Sequence, residues 1–452
     1  MLKVFSILMF LFVSQFFSQI KPADATKIKD EKNIQSSETK ILQKDWNFIV
    51  YIASNNDLNR FVKKNIEQMM HIGSTQNINI LVQTDVYRKK EVSRYFVEKN
   101  KLVLADTQNN GLQSTSGTPE SLFSCAKWGI TNYPAKHHAI VLWNHGSGIE
   151  DPSIWGKLWE TYPSEIFTRN SKTGLLDLNK KSLKDRGIAF NEIFETYLTN
   201  QDLKNSLAKI SKELLGGKKI DILAMDACNM AMLEVGSQIK DSANIMVASE
   251  EYEPGSGWDY SFALEPFLRH SMTPEEFAKQ MVLSYKEAYK YHHSAYTQSA
   301  IKLTNYNYLE DNINNVSICL LSLLNSKDKD KVLRQLKKIR TSLRLTTVFA
   351  NKSYIDMYHF YSSLLSETEW LKWDVINTSQ LNLLKKLLEE GLKLMKNQII
   401  ENVMGPQLPH AHGMAFYFPT RSIHRSYYKT TFAQNNKWVE FLAKYIKETL
   451  WS

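Results

Sequence analysis

Five apolar runs punctuate the first half of the chain: 46-WNFIVYIA-53, 78-INILVQT-84, 138-HAIVLWN-144, 220-IDILAMD-226 and 244-NIMVASE-250. They are short, rich in β-branched residues and apolar at successive rather than alternate positions. Such a strand is buried on both faces, which is the condition of a parallel sheet covered by helices. The polar segments between the runs carry helix starts. Thr118-Pro119-Glu120 and Thr273-Pro274-Glu275-Glu276 each place a capping threonine before a proline at the first helical position. The first of these helices carries Leu122, Cys125 and Ala126 on one side, so Cys125 reads as a core cysteine. The pattern predicts a doubly wound α/β sandwich.

Further along, 381-LNLLKKLLEEGLKLMKNQII-400 aligns Leu381, Leu384, Leu388, Leu392 and Met395 on one stripe, with Lys385, Glu389, Lys393 and Lys396 outside it. Residues 305–400 therefore read as a helical extension that serves as scaffold. The run 413-GMAFYFP-419 reads as one more strand of the same sheet, opening a C-terminal segment, 401–452. Between the third and fourth apolar runs lies a long polar insertion, 149–187, which offers Arg169, Lys172, Lys180, Lys181, Lys184 and Arg186 as cleavage points. Loops of this length are usually functional or disordered.

The N-terminus changes the setting. Lys3, an unbroken apolar run from Val4 to Val13, and then small and polar residues form a secretory signal pattern over 1–23, too short for a comfortable membrane span. Residues 24–45 are polar and lysine-rich and read as a linker or pro-segment, and the strand-and-helix region from 46 to 304 reads as the main domain. The length of 452 residues suggests two or three lobes. The net charge of +9 does not indicate a nucleic-acid partner, because the lysines are scattered and no nucleic-acid motif accompanies them. Nor does a transmembrane anchor follow the signal. Three cysteines, Cys125, Cys228 and Cys319, permit at most one internal disulfide.

Two of the apolar strands end in reactive residues. The 138–144 run leads into His145, and the 220–226 run leads through Asp226 to Cys228. Ligands of open α/β sheets bind beyond the carboxyl ends of the strands, so the two side chains are expected to share one crevice. A thiol beside an imidazole is cysteine peptidase chemistry: the ring favours the thiolate and then protonates the leaving amine. Gly146 lets the backbone come close, so its N–H and that of Cys228 are candidates for an oxyanion hole. Ser147 and Ser256 fit no G-x-S-x-G elbow and read as loop residues. The paired histidines 137/138, 292/293 and 410/412 lie outside metal-binding motifs.

These stretches, NHGSG (144–148), DILAMDACNMAMLEV (221–235), ASEEYEPGSGWDY (248–260) and HGMAFYFP (412–419), together with 187-GIAFNEIFETYLTNQDLKNSL-207, resemble the clostripain family of cysteine peptidases. The resemblance covers about residues 46–420. It implies a caspase-like α/β/α sandwich with a mainly parallel central sheet, a His145–Cys228 dyad, and protein or peptide substrates cut after Arg or Lys. It places Asp226 at the base of the S1 pocket, with Asp259 as a second candidate and Glu250, Glu251 and Glu253 as added negative charge. It also implies a precursor nicked between the two catalytic strands, within 149–187. Some relatives need calcium; the sequence has no EF-hand loop and names no ligands. The alternative from another class is a secreted binding or surface protein that keeps the fold without turnover.

Overall fold

The computed structural model describes residues 43–87, 91–109, 115–150, 167–169, 176–178, 187–370 and 378–450. The signal and most of the linker lie outside the described residues, as does nearly all of the insertion. Nine strands make the central sheet: β1 (Lys44–Ser54), β2 (Ile78–Val86), β3 (Glu91–Glu98), β4 (Lys101–Asn109), β5 (Ala135–Trp143), β6 (Ile220–Asp226), β7 (Ala243–Ala248), β8 (Thr297–Lys302) and β9 (Ile399–Met404). Their spatial order is β9-β8-β7-β6-β5-β1-β2-β3-β4. The five strands from β7 to β2 are parallel, and antiparallel pairs close both edges. This is the mainly parallel, caspase-like sandwich the sequence implies.

The strand period of two sorts the apolar runs between the faces. Ile49, Tyr51, Ala53, Ile140, Leu142, Leu223 and Met225 enter one core. Phe48, Val50, Ile52, Val141, Trp143, Ile222 and Ala224 enter the other. The second face is covered by α1 (Asn59–Ile72) and by Pro274–Tyr289. Pro119–Asn132 and Asn200–Leu214 cover the first face, together with the helices from Tyr306 to Gln398 and Trp438–Leu450. The helix starts follow the sequence. Thr118 Oγ1 accepts the Ser121 N–H at 3.2 Å, and Thr273 and Glu276 form a reciprocal capping box.

The 305–400 helices share the first-face core with the sheet rather than forming a core of their own. The chain then runs directly into β9, which pairs antiparallel with β8. The 413–419 run departs from expectation. Ala415–Tyr417 does not join the central sheet but pairs with Tyr354–Asp356 in a separate two-stranded ladder, bridged to Met232. The edge position beside β8 is already taken by Ile399–Met404, whose IIENVM sequence follows a helical stripe without a break. Cys125 and Cys319 are buried, and all three cysteines are free thiols. Burial pushes the Cys125 thiol up to about 12 and that of Cys319 up to about 11, so neither serves as a nucleophile.

Candidate active site

From β1 the chain steps to β2 on one side and later returns to β5 on the other. That reversal opens a crevice at the strand ends. β5 and β6 are adjacent and parallel, with Trp143 opposite Asp226. The residues that follow them, His145 and Cys228, therefore emerge together. They line one open pocket with Leu58, Asp226, Glu253 and Gly257.

Cys228 sits on a tight turn. The next residue, Asn229, is left-handed (φ 58°), and its N–H donates to Glu251 O at 3.1 Å. Above the turn, the Glu253 backbone N–H donates to Cys228 Sγ at 3.2 Å. A donor aimed at sulfur favours the thiolate over the thiol. His145 is buried, and its Nε2 lies 2.7 Å from Asp57 Oδ1. Burial alone would raise the Asp57 carboxyl. The charge and hydrogen bond of His145, with Arg60, outweigh burial and hold it below the ordinary carboxylate range. Asp57 was not legible as a site residue: it follows β1 in the turn-like stretch 54-SNNDLNR-60, 88 positions before the histidine it contacts.

Asn144 fixes the strand end. Its Nδ2 donates to Ala53 O and Phe190 O, and its Oδ1 accepts the Phe190 N–H at 2.9 Å. The chain emerging from the insertion is thus stitched to the histidine strand. Ser147 Oγ contacts Glu150 O at 2.8 Å and Gly187 O at 3.2 Å, holding the two ends of the insertion together. Ser256 Oγ lies 2.9 Å from Tyr289 OH. Both serines are loop residues in the structure.

Gly146 is required by its neighbours. A Cβ there would stand 2.4 Å from Cys228 O and 3.0 Å from Ala227 Cβ, so the glycine lets the histidine loop lie against the cysteine loop. The close approach that needs a glycine is thus between these two loops. Asp226 is 5% exposed and lines the pocket. Its Oδ2 accepts from Tyr260 OH at 2.8 Å and Trp258 N at 3.2 Å. Asp259 is placed elsewhere. It caps the short helix Tyr260–Leu264 through the Ser261 and Phe262 N–H groups and is not among the pocket-lining residues. Glu250 and Glu251 are also structural: Glu250 accepts the Gly413 N–H at 3.1 Å and Glu251 the Ala350 N–H at 2.9 Å. Of the three glutamates, Glu253 alone reaches the pocket.

Among the described residues, no three His, Cys, Asp or Glu side chains converge as metal ligands. Nor does any helix among them have the length and apolarity to cross a membrane.

The Clostripain family model matches residues 50–160 and 173–452. Clostripain of Hathewaya histolytica is 23% identical over 297 residues, covering 57% of this chain and 50% of that protein. The match thus spans half the length of the curated relative. A secreted C11 cysteine protease of Bacteroides thetaiotaomicron, solved with an irreversible peptide inhibitor, aligns with a TM-score of 0.55 at 16% identity. That alignment covers 88% of this chain and 99% of the other. An inactive zymogen C11 protease of Parabacteroides distasonis aligns with a TM-score of 0.56 at 15% identity, covering 87% and 98%. At these identities the two structures speak for the fold.

Proposed function

Because the chain belongs to the clostripain family of cysteine peptidases, we propose that it is an exported endopeptidase that cuts after arginine or lysine with Cys228 as nucleophile and His145 as proton carrier. The observation that carries this reading is the shared pocket: thiol, imidazole and a buried carboxylate, Asp226, line one crevice. Cys228 Sγ, favoured as thiolate by the Glu253 N–H, attacks the scissile carbonyl carbon. The backbone N–H groups of Gly146 and Cys228 take the oxyanion. His145, held through Nε2 by Asp57, uses Nδ1 to protonate the leaving amine, and then activates the water that hydrolyses the acyl-enzyme. Asp226 supplies the charge that pairs with a basic P1 side chain.

No step is routed through calcium, and the chemistry needs no cofactor. Export is supported by the N-terminal sequence pattern and by the secreted description of the Bacteroides proteases. Processing within 149–187 is supported by the basic residues there and by the zymogen description of the Parabacteroides protein.

The test is hydrolysis of fluorogenic peptides ending in Arg, Lys, Asp or Leu by the exported form under reducing conditions, with and without calcium. Turnover of the Arg and Lys peptides alone, lost in Cys228→Ala, is expected. On a denaturing gel the active wild type should run as two fragments and Cys228→Ala as one chain. A folded protein that is cut within 149–187 and turns over no peptide would leave the binding-protein reading in its place.

A further inference from the structure

The floor of the pocket holds more than one acid needs. Glu253 is 4% exposed and lines the same pocket as Asp226, and the two carboxyl groups share a hydrogen bond. Two carboxyls can hydrogen-bond only if one of them carries a proton. Beyond that contact Glu253 meets the Trp258 side chain, and neither of its oxygens has a partner of ordinary hydrogen-bond geometry among the described residues. The hydroxyl of Tyr285, buried beside the pair, has no partner among the described residues. Unsatisfied buried carboxyl oxygens are costly, which marks them as groups built to meet a ligand.

We propose that Asp226 and Glu253 act as a single acid in the S1 pocket, sharing one proton until a P1 guanidinium or ammonium group enters, when that proton leaves to solvent and both carboxylates face the cation. This rests on the reading that the pocket takes Arg or Lys. One O–H bond breaks, its proton passes to water, and the pocket carries one negative charge before and after: one ionised carboxyl alone, or two against one cation. Burial, followed by mutual repulsion, holds the Glu253 carboxyl well above the ordinary range, and burial raises Asp226. The ionisable groups facing the pair are Tyr260, Tyr285, Tyr289, the Cys228 thiol and, from the neighbouring strand end, His145, which lines the same pocket. The imidazole of His145 is engaged by Asp57 at 2.7 Å, so its charge is met there rather than by the acid pair. Gly257, left-handed at φ 62°, keeps the approach open, since a Cβ there would lie 2.8 Å from both Asp226 oxygens. Glu253 is thereby a specificity residue, and cation affinity is linked to pH.

The experiment is calorimetric titration of the processed wild-type chain with n-butylguanidinium in buffers of different ionisation heat. Release of close to one proton per cation at pH 7 is expected, with affinity rising about tenfold between pH 6 and pH 7. Glu253→Gln, and independently Asp226→Asn, should abolish the release. Cation binding without proton release by the wild type would overturn the paired-acid proposal while leaving a basic-specific pocket intact. No cation binding, with peptides cut after Leu or Asp, would overturn the S1 reading itself.

Discussion

Replacing Asp57 by Asn removes the charge from the 2.7 Å contact with His145 Nε2 while keeping the shape of the side chain. A hydrogen bond between charged groups is worth about 1.5–3 kcal/mol. The histidine is 6% exposed but Asp57 is 31% exposed, so screening by solvent favours the lower end of that range, about 1.5–2 kcal/mol. At about 1.4 kcal/mol per decade, kcat/KM for an Arg peptide should fall roughly 10- to 30-fold. The loss should fall on kcat with KM little changed, because Asp57 holds the ring and is not among the residues that line the pocket. Asp57→Glu should recover part of it. The Asp57 carboxyl is held below its ordinary value, so its contribution is present above the unfolded carboxylate pKa and is lost only as pH falls through the lower folded one. The defect should therefore be constant from pH 6 to pH 8. A variant within twofold of wild type across that range, or one altered in KM alone, would refute the assignment of Asp57 as the positioning residue.

Gly146→Ala puts a methyl group 2.4 Å from Cys228 O. Overpacking of this kind costs about 1–3 kcal/mol, so a lower Tm and at least a tenfold loss of kcat are expected by scanning calorimetry and peptide hydrolysis. Glu234 is fully buried beneath the Tyr417 N–H, and burial pushes its carboxyl up to about 7. A raised acid gives its stability below the unfolded pKa and loses it as pH climbs through the folded one. Glu234→Gln should therefore gain on wild type as pH rises from 5 to 8, by up to about 3 kcal/mol, read from denaturant midpoints at each pH.

The sheet was legible because its central strands are apolar on both faces, a pattern that survives without knowledge of neighbours. His145 and Cys228 were legible for the same reason: each interrupts such a run at its end. The edge strands were not. Glu91–Glu98 and Lys101–Asn109 mix charge with apolar residues because parts of them face solvent, and β9 hides behind a helical stripe. Asp57 escaped for a different reason, and Glu253 was legible only as one of three acids. Their significance lies in partners brought close by the fold, not in their own surroundings, and Glu253 stands among three glutamates whose spacing does not say which one reaches the pocket. Asp259 shows the reverse hazard, since a carboxylate just before a helix is as well suited to a cap as to a substrate.

The insertion falls between β5 and β6, and these strands are neighbours in the sheet. A cut there divides the sheet into two contiguous halves, β4 to β5 from one fragment and β6 to β9 from the other. The pocket lies on the seam, with its histidine and its cysteine on separate polypeptides. The Ser147 staple and the shared cores hold the halves together without a peptide bond. Unfolding then changes molecularity: what was a rearrangement of one chain becomes the dissociation of two, and its midpoint acquires a dependence on protein concentration. An uncut chain keeps both halves of the pocket on one polypeptide, whereas a cut one would recover its pocket only when two fragments find each other again.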